Sequence, residues 1–206
     1  MEHAPFLARM MVILPAPATL PRSPLARCRM ALLVWLGAWV LTGQPEAAAP
    51  AEYDVKMAYV LNFTRYVQWP AASMAPGAPM RICVIGEDPF GDSLDRAVNA
   101  SPGRPLAARR LRRVEEAADC HIVLIAKDEE KRQAQWLLAL QGKPILTVGE
   151  SEHFIRDGGV IGLLLVKSTV RFEVNLDAAQ RAGLRISSRM LSLAEAVHNS
   201  SAEEPR

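Results

Sequence analysis

Little in this chain of 206 residues suggests catalysis. It has three cysteines and four histidines, aromatic residues make up 6% of it, and it contains neither a G-x-S-x-G nucleophile motif nor a Walker-type phosphate loop. His121, His153 and His198 are not spaced with another His, Cys or carboxylate in a recognised ligand pattern, so no metal, cofactor or catalytic residue is assigned. His121, at the head of a strand, reads as a structural histidine. An excess of charge is missing as well. Residues 52–206 carry 20 basic and 20 acidic side chains, so the small net charge of +2 belongs to the leading segment. That balance gives no electrostatic reason to expect nucleic acid or an anionic membrane as partner. Arg109, Arg110, Arg112 and Arg113 form a local basic cluster, read as a solvated strand or loop face.

The apolar run "MALLVWLGAWVL", residues 30–41, is twelve residues long, too short for a bilayer span and suited to the core of a signal peptide. Arg27, Cys28 and Arg29 precede it and the small residues of "GQPEAAAPAE" follow. Ala49-Pro50-Ala51 is an A-x-A site, so cleavage after Ala51 would start the mature chain near Glu52. The alternative is an apolar segment retained as a membrane anchor; either way the folded part is exported. The expected organisation is therefore a leader over 1–51, one domain over 52–198 and a disordered tail over 199–206.

Within the domain, "MRICVIG", "HIVLIA" and "KPILTVG" are continuous apolar strands separated by helical segments. A weaker strand covers residues 106–111. Strands buried on both faces and alternating with helices predict a single α/β domain with a mostly parallel sheet. "VIGLLLV" and "TVRFEVNL" are separated only by Lys167 and Ser168, which predicts an antiparallel hairpin at one edge. "ESEHFIRDGG" is expected as a short helix, and "LDAAQRAG" and "SRMLSLAEAV" as closing helices.

The first segment of the domain, "YDVKMAYVLNFTRYVQWP", holds all three tyrosines of the chain. At 100° per residue it places Met57, Val60, Leu61 and Val67 on an aliphatic half-arc and Val55, Tyr59, Phe63 and Tyr66 on an adjoining, mostly aromatic one. So wide an arc implies burial on two sides. The aliphatic half is assigned to the sheet. The aromatic half, Tyr59, Phe63 and Tyr66, either meets another chain, a second copy or a partner, or is covered by a second helix of the same domain. "VIGEDPFG" leaves a strand for a helix and is the best candidate ligand loop, through Glu87, Asp88 and Phe90; the other reading is a tight structural turn, since two carboxylates would repel a phosphate. Cys83 lies within the first core strand and Cys120 immediately precedes the second clear one; if those strands are neighbours in the sheet the two thiols lie near one another, and the pair is read as either a disulfide or two buried thiols.

The ordered set "EYDVKMAYVLNFTRYVQWP", "ICVIGEDPFG", "CHIVLIA", "ILTVGE", "FIRDGGVIGLLL" and "VRFEVNLDAAQRAGLRISSRMLSLAEAV" resembles the YfiR family, also called YfiR/HmsC-like, from Glu52 to Val197. The resemblance implies a small periplasmic regulator that is not an enzyme. Such a protein binds the sensor part of an inner-membrane diguanylate cyclase and represses it, keeping cyclic di-GMP and biofilm matrix low. A histidine kinase or another membrane sensor is the alternative partner, and a small-molecule-binding protein or enzyme using Glu87–Phe90 the alternative function. Cys83 and Cys120 match one cysteine pair of the family, some of whose members tune repression by cysteine oxidation. The second pair of some members is absent, that region reading "LTVGESEHFIRDGG".

Overall fold

A computed structural model describes residues 48–200, with no account of the side chains of residues 48–51. The leader up to residue 47 and the tail from residue 201 lie outside the described residues, as does the signal-peptide reading of 30–41. The first helix, α1 (Ala48–Tyr66), is followed by a two-residue strand, β1 (Val67–Gln68). It therefore begins four residues before Glu52, where the domain was expected to start.

Continuous runs of β-branched and aliphatic residues then form β2 (Met80–Ile85), β4 (Ile122–Ile125) and β5 (Leu146–Gly149). The weaker strand is β3 (Leu106–Leu111). The helices between them are α2 (Asp92–Asn99) and α3 (Gln133–Leu140), the latter preceded by a 3-10 turn over Lys127–Arg132. Next come β6 (Ile161–Val166) and β7 (Thr169–Asn175), which pair antiparallel. Lys167 and Ser168 join them with φ of 47° and 61°, the left-handed pair that a two-residue hairpin turn requires. The seven-stranded sheet has the order β3-β2-β4-β5-β6-β7-β9, where β9 is Ala196–His198, and its first five members are mutually parallel. Read in chain order, those five run 2-1-3-4-5, a doubly wound arrangement whose direction of winding reverses between β2 and β4.

Side chains alternate between two cores. Ile82, Val84, Ile122 and Leu124 face a layer built by α1 and α2, while Cys83, Ile85, Val123 and Ile125 face α3. Asn175 caps the short helix α4 (Leu176–Arg181) by accepting a hydrogen bond from the Ala178 amide at 2.9 Å. Beyond it, β8 (Arg185–Ile186) pairs with β1, and Ser187 caps a single helical turn, α5 (Ser188–Leu191).

Three expectations are corrected. "SRMLSLAEAV" is not one helix: it ends after α5 and becomes a strand, β9 (Ala196–His198), parallel to β7. The hairpin alone would leave the outer backbone groups of β7 unpaired, and this segment takes them up, beginning with the Glu195 amide on the Phe172 carbonyl at 2.8 Å. Leu193 and Val197 stay 64% and 43% exposed, so no apolar stripe rewarded a longer helix. The hairpin is consequently not the edge of the sheet; β9 is. Lastly, "ESEHFIRDGG" forms successive turns, not a helix. Its organiser is Phe154, fully buried with its ring wedged between Gly149 and Gly159, where a Cβ on either glycine would stand 2.1 Å from a ring carbon.

That wedge yields a test. Gly159→Ala would drive a methyl into the Phe154 ring and should cost about 1–3 kcal/mol of stability, as overpacked cores do. Equilibrium urea unfolding checks it; an unchanged midpoint would show that Phe154 has room to move.

Candidate functional site

In a doubly wound sheet a ligand enters the crevice at the carboxyl ends of the strands, where the winding reverses. Here that place lies between the loop after β2, with Glu87, Asp88 and Phe90, and the loop after β4. The two loops fill it with each other. The Glu87 amide donates to both carboxylate oxygens of Asp128 at 3.2 and 3.1 Å, and a Cβ on Gly86 would meet Asp128 Oδ1 at 2.5 Å. Asp88 accepts the Phe90 amide at 2.8 Å and is gripped by Arg110 at 2.7 Å, while Phe90 is buried against Tyr53, ring to ring at 5.7 Å and nearly perpendicular. The cavity left beside Phe90, Ala126 and Glu150 is about 10 Å³, room for one water at most. "VIGEDPFG" is thus a tight structural turn.

Arg110 was read from sequence as one of four solvated arginines. It is exposed like the other three, and it also bridges Asp88 and Asp95 and donates to the Gly91 carbonyl at 3.0 Å, tying β3 to α2. The Arg110 hydrogen bond holds the Asp95 carboxyl below its ordinary range. Arg109, Arg112 and Arg113 are exposed.

On α1 the aliphatic half behaves as expected, with Met57, Val60 and Val67 buried and Leu61 packed at the margin. The aromatic half divides. Phe63 is only 2% exposed and sits edge-on to Phe172 of β7 at 5.5 Å, so it belongs to the chain's own core and cannot also anchor a partner. Phe172 of the sheet packs against it. Tyr59 and Tyr66 flank it half-buried: the Tyr59 hydroxyl donates to the Val170 carbonyl at 3.3 Å, and Arg189 lies over the Tyr66 ring at 5.8 Å. Val55, grouped with them by helical angle, is 46% exposed and faces water.

The buried residue that periodicity missed is Lys56, 4% exposed, whose ammonium lies 2.7 Å from Glu150 at the end of β5 and also pairs with Glu52 one turn earlier. Burial disfavours its charge, but hydrogen bonds to the two carboxylates outweigh that and hold its pKa above the ordinary value. Nothing in local sequence announces such a pairing, because Glu150 is 94 residues away.

Cys83 and Cys120 are bonded to each other across the neighbouring strands β2 and β4, on the α3 face of the sheet. This resolves the choice between a disulfide and two buried thiols. His121 beside it is indeed structural: it is 8% exposed, its Nδ1 accepts the Arg81 amide at 3.1 Å and its Nε2 lies 3.0 Å from the Ser73 carbonyl. Among the described residues, no group of three or more His, Cys, Asp and Glu side chains could hold a metal ion, and no helix is long and apolar enough to cross a membrane.

The disulfide closes a loop with a sequence separation of 37. On the chain-entropy account such a closure stabilises by about 4 kcal/mol. Thiol titration of denatured, unreduced protein should therefore find neither cysteine reactive, and the Cys83→Ala, Cys120→Ala double variant should unfold at markedly lower denaturant. Two titratable thiols from this pair would contradict the bridge.

The chain is similar to a solved structure and matches a family model. A solved structure, the ABC domain in complex with L-Trp from Streptococcus pneumonia, is similar with a TM-score of 0.48 and 10% identity. The match covers 67% of this chain and 59% of that one, so this chain spans less than two thirds of it. Residues 53–195, which include α1 from Tyr53 onward, both bridged cysteines and the whole hairpin, match the YfiR/HmsC-like model, and the chain belongs to that family.

Proposed function

We propose that this protein is an exported regulator that acts by binding: it holds the periplasmic sensor part of an inner-membrane diguanylate cyclase inactive, and so lowers cyclic di-GMP and biofilm formation. The observation that carries the reading is membership of the YfiR/HmsC-like family across nearly the whole domain. Two features support it. The Cys83–Cys120 bridge suits an oxidising compartment such as the periplasm. The crevice where a doubly wound sheet would take a small ligand is filled by the protein's own Asp128, Phe90 and Gly86.

For the partner surface we take the exposed flanks of α1. Tyr59 and Tyr66 keep part of each ring in solvent beside the outward residues Val55 and Asn62, and half-exposed tyrosines supply contact area with few rotatable bonds. Phe63 supports this surface from beneath.

The proposal separates two kinds of variant. Deleting the gene should raise cellular cyclic di-GMP, and an exported copy should lower it again. Tyr66→Ala should release repression with the melting temperature nearly kept, through a loss of about 2 kcal/mol in binding, some thirtyfold, whereas Tyr59→Ala, which also removes the Val170 bond and the Phe172 contact, should release repression and lower the melting temperature together. Phe63→Ala should instead destabilise the fold by about 3–5 kcal/mol. Cyclic di-GMP measured beside thermal melts decides between them. Unchanged cyclic di-GMP on deletion would refute the regulator, whereas intact repression by both tyrosine variants would refute only the surface.

A further inference from the structure

The imidazole of His121 joins three parts of the molecule at the amino-terminal end of the parallel strands. Its main chain bonds to both neighbours, the His121 amide to the Arg81 carbonyl at 2.9 Å and the Leu146 amide to the His121 carbonyl at 2.8 Å. That carbonyl also accepts the indole N–H of Trp69 at 3.2 Å, which ties down the segment leaving α1. The ring adds two bonds. A backbone amide can only donate, so the Arg81 N–H requires Nδ1 to be an unprotonated acceptor. The neutral ring then carries its proton on Nε2 and donates it to the Ser73 carbonyl, in the 3-10 turn Ala71–Ser73.

This geometry works only for the neutral ring. A second proton would go onto Nδ1 and point at the Arg81 N–H, donor against donor. The ring would then have to leave, and its bond to Ser73 would go with it. A cavity of about 420 Å³ lies alongside, lined by Pro70, Ser73, Arg81, Asp119, His121 and Pro144 among others, and gives the ring somewhere to turn. We propose that His121 is an acid-operated latch: neutral, it fastens the Ala71–Ser73 turn to the sheet, and protonated it releases that turn into the adjoining cavity.

The surrounding charges favour the latched state near neutral pH. Arg81 on β2 and Arg104 in the segment before β3 oppose a third positive charge, while Asp119 at the end of the 3-10 turn Val114–Asp119 favours one and gives the displaced imidazolium a counter-ion. The turn Ala71–Ser73 and β5 present no ionisable side chain. Burial is the largest influence and, with the two arginines, holds His121 below the ordinary histidine value; the Ser73 bond opposes it in part. The sign follows. With the folded pKa below the unfolded one, the unfolded chain binds more protons between the two, so the latch is at full strength above about pH 6.5. It weakens as pH falls from there, and the loss levels off below the folded pKa. The inference concerns this end of the domain and holds whichever partner the protein regulates.

Nitrogen-15 NMR of the purified protein between pH 8 and 4.5 tests it. At pH 7.5 the His121 imidazole should show the Nε2-protonated tautomer. On acidification it should titrate with a midpoint below 6.5, while the Trp69 indole and the amides of residues 71–74 shift with the same midpoint and those of β4 do not. Amide exchange in residues 71–74, corrected for the intrinsic pH dependence, should speed up at least tenfold across that midpoint. His121→Gln retains one acceptor and one donor without titrating, and should abolish the pH response of the turn. A His121 midpoint at or above 6.5, no titration down to pH 4.5, or the same response of the turn in His121→Gln would each overturn the latch.

Discussion

Phe63 of α1 meets Phe172 of β7 edge-on at 5.5 Å, with Tyr59 closing a triangle against both rings. This contact fixes where the first helix lies. β7 belongs to the antiparallel hairpin, at the end of the sheet remote from β2, so one ring contact joins the start of the domain to its last third. Burying a phenylalanine side chain stabilises by about 1.5–3 kcal/mol, enough to hold α1 flat on the sheet when its two ends are also secured.

Those ends are secured by polar contacts of different kinds. At the carboxyl end of the strands Lys56 reaches Glu150, a buried pair whose partners each lose far more if the other is removed than the pair contributes together. At the opposite end the Trp69 indole N–H, immediately after β1 and its pairing with β8, reaches the His121 carbonyl. The helix is thereby held at top, middle and bottom, which leaves its outward strip of Asp54, Val55, Ala58, Asn62 and Arg65 as the part another protein could approach.

The strands of the parallel sheet could be read from sequence because their signal is local: Ile82–Ile85 and Ile122–Ile125 are runs of β-formers with no polar face. The hairpin turn was equally plain, since two residues between two strand patterns leave few other geometries. What escaped depends on partners far away in sequence. Val197 carries no sign that its segment would become a strand, because the reason is the open edge of β7. Arg110 looks like its three solvated neighbours until α2 brings Asp95 within 2.8 Å. On α1 helical angle alone put Phe63 with Tyr59 and Tyr66; it could not show that Phe172 already occupies that side.

α1 is an integral layer of the core and not a helix free to detach toward a partner. Native-state hydrogen exchange measures this directly. The amides of Val60, Leu61 and Phe63 should exchange only by global unfolding, with the same opening free energy and denaturant dependence as Val123 in β4. Exchange of those helix amides at a distinctly lower opening free energy than β4 would mean that α1 comes away by itself, and would contradict the division of its face into buried support and exposed contact.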